Sequence, residues 1–170
     1  LNDESCTLDD KSTKLFEQYR KMAKGKTAPN IEFKIERGKL KGESLKFNDL
    51  KSLPNTYKLV VFGASWCPNC QTDYPKLKEK YANFKAKYDL EVVYISIDTD
   101  KAEFDKYYSD APFITYFDAQ GWETQAAKDY HVFATPSYFL LDKNLKILEK
   151  IQSVEHLESW LKKPRKETLD

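Results

Sequence analysis

The chain carries no excess of either charge, with 28 lysines and arginines against 27 aspartates and glutamates. Nothing in that balance points to nucleic acid as a partner. One basic run, Lys162-Lys163-Pro164-Arg165-Lys166, reads as a solvated tail. No stretch nears the roughly 20 apolar residues needed to span a bilayer. The longest apolar run, Leu59-Val60-Val61-Phe62-Gly63-Ala64, has the length of a buried strand. There is no signal peptide, internal repeat or low-complexity tract. The sequence opens on Leu1 rather than methionine, which leaves room for a removed export signal, anchor or upstream domain. Cysteine is scarce as well: Cys6, Cys67 and Cys70 cannot form a closed disulfide framework. Two of the three are separated by two residues, a spacing that suggests redox or metal chemistry instead.

What is present suits a globular domain. The 170 residues include 11 Tyr, 10 Phe and 3 Trp, enough aromatic area for a sizeable core. Residues 7–24 read as an amphipathic helix, with Thr7 as cap, Gly25 as stop, and Leu15, Phe16, Tyr19 and Met22 on one face. Residues 27–30 look like a linker. Ile31, Phe33 and Ile35 alternate as in a half-buried strand, and Gly38 and Gly42 bracket a hairpin. Residues 57–63 predict a central strand, 68–88 a helix kinked at Pro75, and 90–97 a second strand. Strand, helix, strand in this order is a βαβ unit with a parallel pair. Residues 101–110 and 123–130 read as helices, 137–141 and 145–151 as a closing hairpin, and Ser153 as the cap of a last helix.

Trp66-Cys67-Pro68-Asn69-Cys70 joins the end of the buried strand to the start of a helix. A helix N-terminus offers unpaired N–H groups and a partial positive charge. The dipole contributes about 0.3–1 kcal/mol, and up to about 2 kcal/mol when partly buried. It is therefore expected to lower the pKa of Cys67 by about one unit from the free thiol value. Pro68 suits the first helical position, where it has no N–H to lose. Two intervening residues let Cys70 close a disulfide on Cys67. Cys67 is then the attacking thiol, and Cys70 resolves the mixed disulfide. A zinc site is the competing reading, but only Cys6, His131 and His156 remain as further ligands, none with zinc-like spacing. A stapling disulfide is the other. Neither metal nor cofactor is called for.

On these residues the chain resembles the thioredoxin superfamily, and within it the TlpA/ResA-type bacterial thiol–disulfide oxidoreductases. The resemblance covers roughly residues 27–163 and rests on four stretches. They are Ala28-Pro29-Asn30-Ile31-Glu32-Phe33, the run from Leu59 to Cys70, Pro75, and Thr135-Pro136. It implies an α/β thioredoxin-like fold: a central mixed sheet flanked by helices, with an N-terminal hairpin extension and a central insert. Residues 1–26 would then be a helical extension to a domain spanning 27–170. The resemblance makes Pro136 a cis proline facing the cysteines. Thr135 and Pro136 become substrate-binding candidates, with Trp66 and Pro68 beside them. Thioredoxin's buried aspartate, six residues before its first cysteine, is replaced here by Val61. ResA-like proteins instead place a glutamate three residues past the second cysteine, and Asp73 stands there. Asp73 shares a helical face with Cys70 and is the candidate proton relay.

The resemblance further implies a reductase of exported proteins, taking protein disulfides as substrates and recharged by a membrane thiol carrier. Such a protein would be a monomer in the bacterial envelope, in the periplasm, with or without an N-terminal anchor. Two other functions compete. A peroxiredoxin-like peroxidase would carry Thr three residues before its cysteine, where Ala64 stands. A non-catalytic docking module would not need the CxxC. Phe104, Tyr107, Tyr108, Phe113, Tyr116 and Phe117 are expected in the core, as are Trp122 and Trp160. His131 and His156 are expected to be structural or exposed, and Cys6 is given no role.

Overall fold

Five strands form one mixed sheet in the order β3-β2-β1-β4-β5. The computed structural model describes residues 10–32 and 49–164. The strands are β1 (Tyr57–Gly63), β2 (Leu90–Ser96), β3 (Ile114–Tyr116), β4 (Ser137–Asp142) and β5 (Ile147–Ile151). β1, β2 and β3 run parallel, while β4 is antiparallel to β1 and β5 to β4. The helices are α1 (Asp10–Lys21), α2 (Pro68–Tyr88), α3 (Lys101–Tyr107), α4 (Gln125–Asp129) and α5 (Val154–Lys162).

The centre of the sheet is apolar on both faces because helices cover both. Successive residues of a strand point to opposite sides. Val60, Phe62, Val93, Ile95, Phe139 and Leu141 form one core with Met22, Leu50 and the α4 residues Ala126 and Ala127. Leu59, Val61, Val92, Tyr94, Tyr138 and Leu140 form the other with Leu77, Tyr81 and Phe84 of α2 and Leu157 and Leu161 of α5. β1 lies between the two cores, so its C-terminal end is held from both sides. That end delivers the chain into the Cys67 loop.

Gly63, the last residue of β1, is fixed by packing. A Cβ there would fall on the Tyr94 hydroxyl and 2.7 Å from Cζ of the same ring. Tyr94 is itself fully enclosed, so it has little room to yield. Gly63→Ala is expected to destabilise the protein by about 1–3 kcal/mol in urea unfolding, the scale of overpacking. Adding Tyr94→Phe should return part of that loss, because the hydroxyl is the worst contact.

Several local expectations need correction. Residues 27–30 are not a free linker. Ala28 is buried, its N–H donates to the Leu145 carbonyl, and the Pro29 carbonyl accepts from the Tyr130 hydroxyl. Thr27 pairs with Lys146 beside the start of β5. Of the α1 face, Met22 is buried but Phe16 is 55% exposed. The strand and hairpin over 33–48, like Thr7 and Cys6, lie outside the described residues. Their flanks, Glu32 and Asp49, pair antiparallel. The 123–130 helix divides into a 3-10 turn (Gly121–Glu123) and α4. Trp122 is 41% exposed rather than core, because that turn carries it at the surface. Trp160 is half-buried, edge-on to Tyr57 at 6.0 Å. No pattern in the sequence predicts β3. Three residues after Pro112 are too few to display a period, and only its pairing with β2 defines it.

Candidate active site

Cys67 is the N-cap of α2, with extended backbone, and Pro68 opens the helix. The Cys67 sulfur accepts from the Cys70 N–H at 3.3 Å. A side-chain acceptor at this position satisfies one of the orphan donors that begin every helix. Both cysteines are free thiols, and both are buried. They pack with Ala64 and Ile97 in a small apolar cluster at the C-terminal ends of β1 and β2. This burial pushes the Cys70 thiol up to about 12, with the neighbouring Cys67 adding to the effect. The Ala64 backbone and Thr135 oppose it. Cys70 is therefore held as S–H at neutral pH, while the Cys67 sulfur sits at the positive end of the helix. Pro75 lies inside α2, which continues through it to Tyr88 although the Gln71 carbonyl receives no helical N–H from proline.

The Thr135–Pro136 peptide is cis. The Thr135 carbonyl accepts from the Cys67 thiol at 3.4 Å, so this loop and the N-terminus of α2 meet at the sulfur. Trp66, immediately before Cys67, is 55% exposed, and Pro68 is exposed beside it. Thr135 and Pro136 are half-buried. The seven sequence-derived candidates thus fall in one region, with Asp73 one helical turn past Cys70. The Asp73 carboxylate accepts from the Tyr138 hydroxyl at 2.9 Å and lies 3.7 Å from the Lys76 ammonium.

Two features under the cysteines were not found from sequence. Asp98 is buried just past the end of β2. It accepts from the Ser65 N–H at 3.1 Å, the Ser65 hydroxyl at 2.6 Å and the Ser96 hydroxyl at 2.6 Å. The Ser65 carbonyl accepts from Gln71 Nε2 at 2.7 Å. Ser65, two residues before Cys67, is therefore held at both its N–H and its C=O. Carboxylates at the C-terminal ends of parallel strands are a recognised place to look, and that was the available signal. The second feature is a tyrosine cluster. Tyr74, Tyr94 and Tyr108 pack with ring centroids 5.2–5.6 Å apart. Their spread over α2, β2 and the C-cap of α3 hides the cluster in the linear sequence. Among the described residues, no three His, Cys, Asp or Glu side chains converge as a metal site would require. His156 accepts from the Gln152 N–H, and its own N–H is capped by Ser153, which is a structural role.

Comparison with known proteins decides the family. A profile described as thioredoxin-like matches residues 55–147, a span that holds β1, the cysteine loop, α2, β2 and the Thr135–Pro136 turn. The chain belongs to the thioredoxin-like family. It is 31% identical over 156 residues to the thiol-disulfide oxidoreductase ResA of Bacillus cereus, covering 87% of this chain and 82% of that one. A solved thiol-disulfide oxidoreductase from Bacteroides fragilis superposes with a TM-score of 0.65 at 26% identity, covering 81% and 98% of the two chains. A thiol:disulfide interchange protein described as DsbE, from Chlorobium tepidum, gives 0.65 at 25%, covering 82% and 98%. This member of the family is a thiol–disulfide oxidoreductase, and Cys67 and Cys70 form its CxxC pair.

Proposed function

We propose that the protein is a disulfide reductase in which Cys67 attacks a substrate disulfide and Cys70 resolves the resulting mixed disulfide. One observation carries this assignment: the two sulfurs are inequivalent. The Cys67 sulfur caps the helix and receives an N–H, whereas the Cys70 sulfur is enclosed and pushed up to about 12. The first to react is the one whose thiolate the surroundings favour. Trp66, Pro68, Thr135 and Pro136 form the surface that receives the substrate segment. The Thr135 backbone, beside the Cys67 sulfur, would pair with an extended substrate segment. Asp73 takes part in proton transfer at Cys70.

The finer reading rests on resemblance. The substrates are exported proteins, the compartment is the bacterial periplasm, and a membrane thiol carrier returns the electrons to a monomeric reductase. Among the described residues, no helix is long and apolar enough to cross a membrane. Residues 1–26 serve as a helical extension to a domain spanning 27–170.

Insulin reduction with dithiothreitol as electron source, run beside a peroxide-consumption assay, tests the function. The expected result is insulin turnover without peroxide turnover. Peroxide turnover alone would favour a peroxidase, and absence of both would favour a docking module. A reduction potential near or below that of thioredoxin, about −270 mV, is expected against a dithiothreitol redox buffer; a value near −120 mV would make the protein an oxidant instead.

A further inference from the structure

The residue opposite Val61 across the β1–β4 pair is Tyr138. Val61 brings no acid to the sheet beneath the sulfurs. Tyr138 shares its face, and its ring is 5% exposed in the core under α2. From there its hydroxyl reaches up to the Asp73 carboxylate at 2.9 Å. Tyr138 is also two residues past Pro136, on the strand that leaves the loop touching Cys67. A continuous set of contacts therefore links Cys67 to Thr135, Thr135 along the chain to Tyr138, Tyr138 to Asp73, and Asp73 along α2 back to Cys70.

The geometry points to Tyr138 as a positioning residue, which fixes the Asp73 carboxylate on the inner side of α2 so that it can take the proton of Cys70. This rests on the assignment of Cys70 as the resolving thiol. Among the described residues, the groups that bond or pair with that carboxylate fit the role. Tyr138 faces it from β4. Lys76, on α2, lies 3.7 Å from its other oxygen and is tied at 2.7 Å to Glu155 of α5. Cys70 precedes it by one turn. Burial, then the Asp73 charge, then the two cysteines raise the Tyr138 hydroxyl well above the usual phenol range. Tyr138 consequently remains a donor and cannot serve as the base. Its contribution is to select one orientation of a side chain that would otherwise follow Lys76 toward solvent.

The resolving step then balances as follows. The Cys70 S–H proton passes to Asp73, and the Cys70 sulfur bonds to the Cys67 sulfur. The bond from Cys67 to the substrate sulfur breaks, and its electron pair leaves with that sulfur. The protein dithiol is oxidised by two electrons and the substrate disulfide is reduced by two.

Rapid mixing of the reduced protein with dithiobis(nitrobenzoate) separates the events, since attack by Cys67 releases one chromophore and resolution by Cys70 releases the second. In Tyr138→Phe the first phase should keep its wild-type rate while the second slows about tenfold, the scale of one lost hydrogen bond to a charged group. Asp73→Asn should slow the second phase about a hundredfold. The double variant should match Asp73→Asn alone, because Tyr138 acts only through Asp73. A second phase unchanged in Tyr138→Phe, or slowing that multiplies in the double variant, overturns the proposal. If Tyr138→Phe does not fold, Asp73→Ala removes the same bond from the other side and leaves the ring packing intact. An unchanged second phase there overturns the proposal equally. Loss of the first phase in the wild type would strike instead at the assignment of Cys67 and Cys70.

Discussion

Cys67→Ser should reduce insulin turnover to background, and Cys70→Ser should accumulate as a covalent adduct with its substrate. The asymmetry follows from the order of events. A serine hydroxyl at the helix cap is not ionised at neutral pH, so no S–S bond is attacked. Removing the nucleophile of a covalent mechanism costs about a thousandfold or more. Without Cys70 the first attack still occurs, but nothing displaces the substrate from Cys67. The product is a mixed disulfide that runs as one band on a non-reducing gel and separates with dithiothreitol. Mass spectrometry after incubation with an excess of oxidised peptide gives the stoichiometry, expected to be one peptide per chain. Adduct on Cys70 in the Cys67→Ser variant, at a rate comparable with that of Cys67 in the reverse variant, would exchange the two roles. The burial that pushes Cys70 up to about 12 makes that adduct slow to form.

The parts of this site that were legible in the sequence were those that are contiguous. Strand β1, the Cys67 loop and the first turn of α2 follow one another along the chain. The run from Leu59 to Cys70 therefore already specifies a thiol at a helix start. Thr135-Pro136 lies 65 residues or more away and was found through family resemblance, because no local rule says which prolines are cis. Asp98 and Tyr138 were missed for a different reason. Each lies in or next to a strand among residues that read as core, and each acquires a role only through its partner across the fold: Asp98 through Ser65, Tyr138 through Asp73. Periodicity reports which way a side chain faces but not what it meets. The same limit explains Phe16, on the apolar face read for the 7–24 helix, and Trp122, expected in the core. An apolar residue on the expected face is buried only if another element covers it. Residues 27–30 erred in the other direction, since their polar, proline-containing composition concealed a segment whose backbone bonds to the edge of the sheet.

Asp98→Ala is expected to lower the unfolding free energy by about 3–5 kcal/mol, the largest stability effect among the substitutions considered. The carboxylate accepts from two hydroxyls and one backbone N–H, and Asp98, Ser96 and Ser65 are all buried. Alanine removes the acceptor that these donors share among the described residues. Hydroxyls can rotate toward other oxygens, but the Ser65 N–H cannot, and each buried donor left unpaired costs about 1–3 kcal/mol. Against a domain stability of about 5–15 kcal/mol, that loss brings the fold near its threshold. Asp98→Asn keeps the shape and one carbonyl oxygen, so it should cost about 1–3 kcal/mol. Urea unfolding of the reduced proteins measures both. Activity should fall alongside, even at temperatures where Asp98→Ala remains folded. Ser65 would then be held only through Gln71, and the loop that sets the Cys67 sulfur on the helix cap would lose its anchor to β2. If Asp98→Ala unfolded within about 1 kcal/mol of the wild type, the three bonds would be geometry without consequence. The rigidity of the cysteine loop would then rest on the Gln71 bond to Ser65, the Cys67 cap and the packing of Ala64 and Ile97.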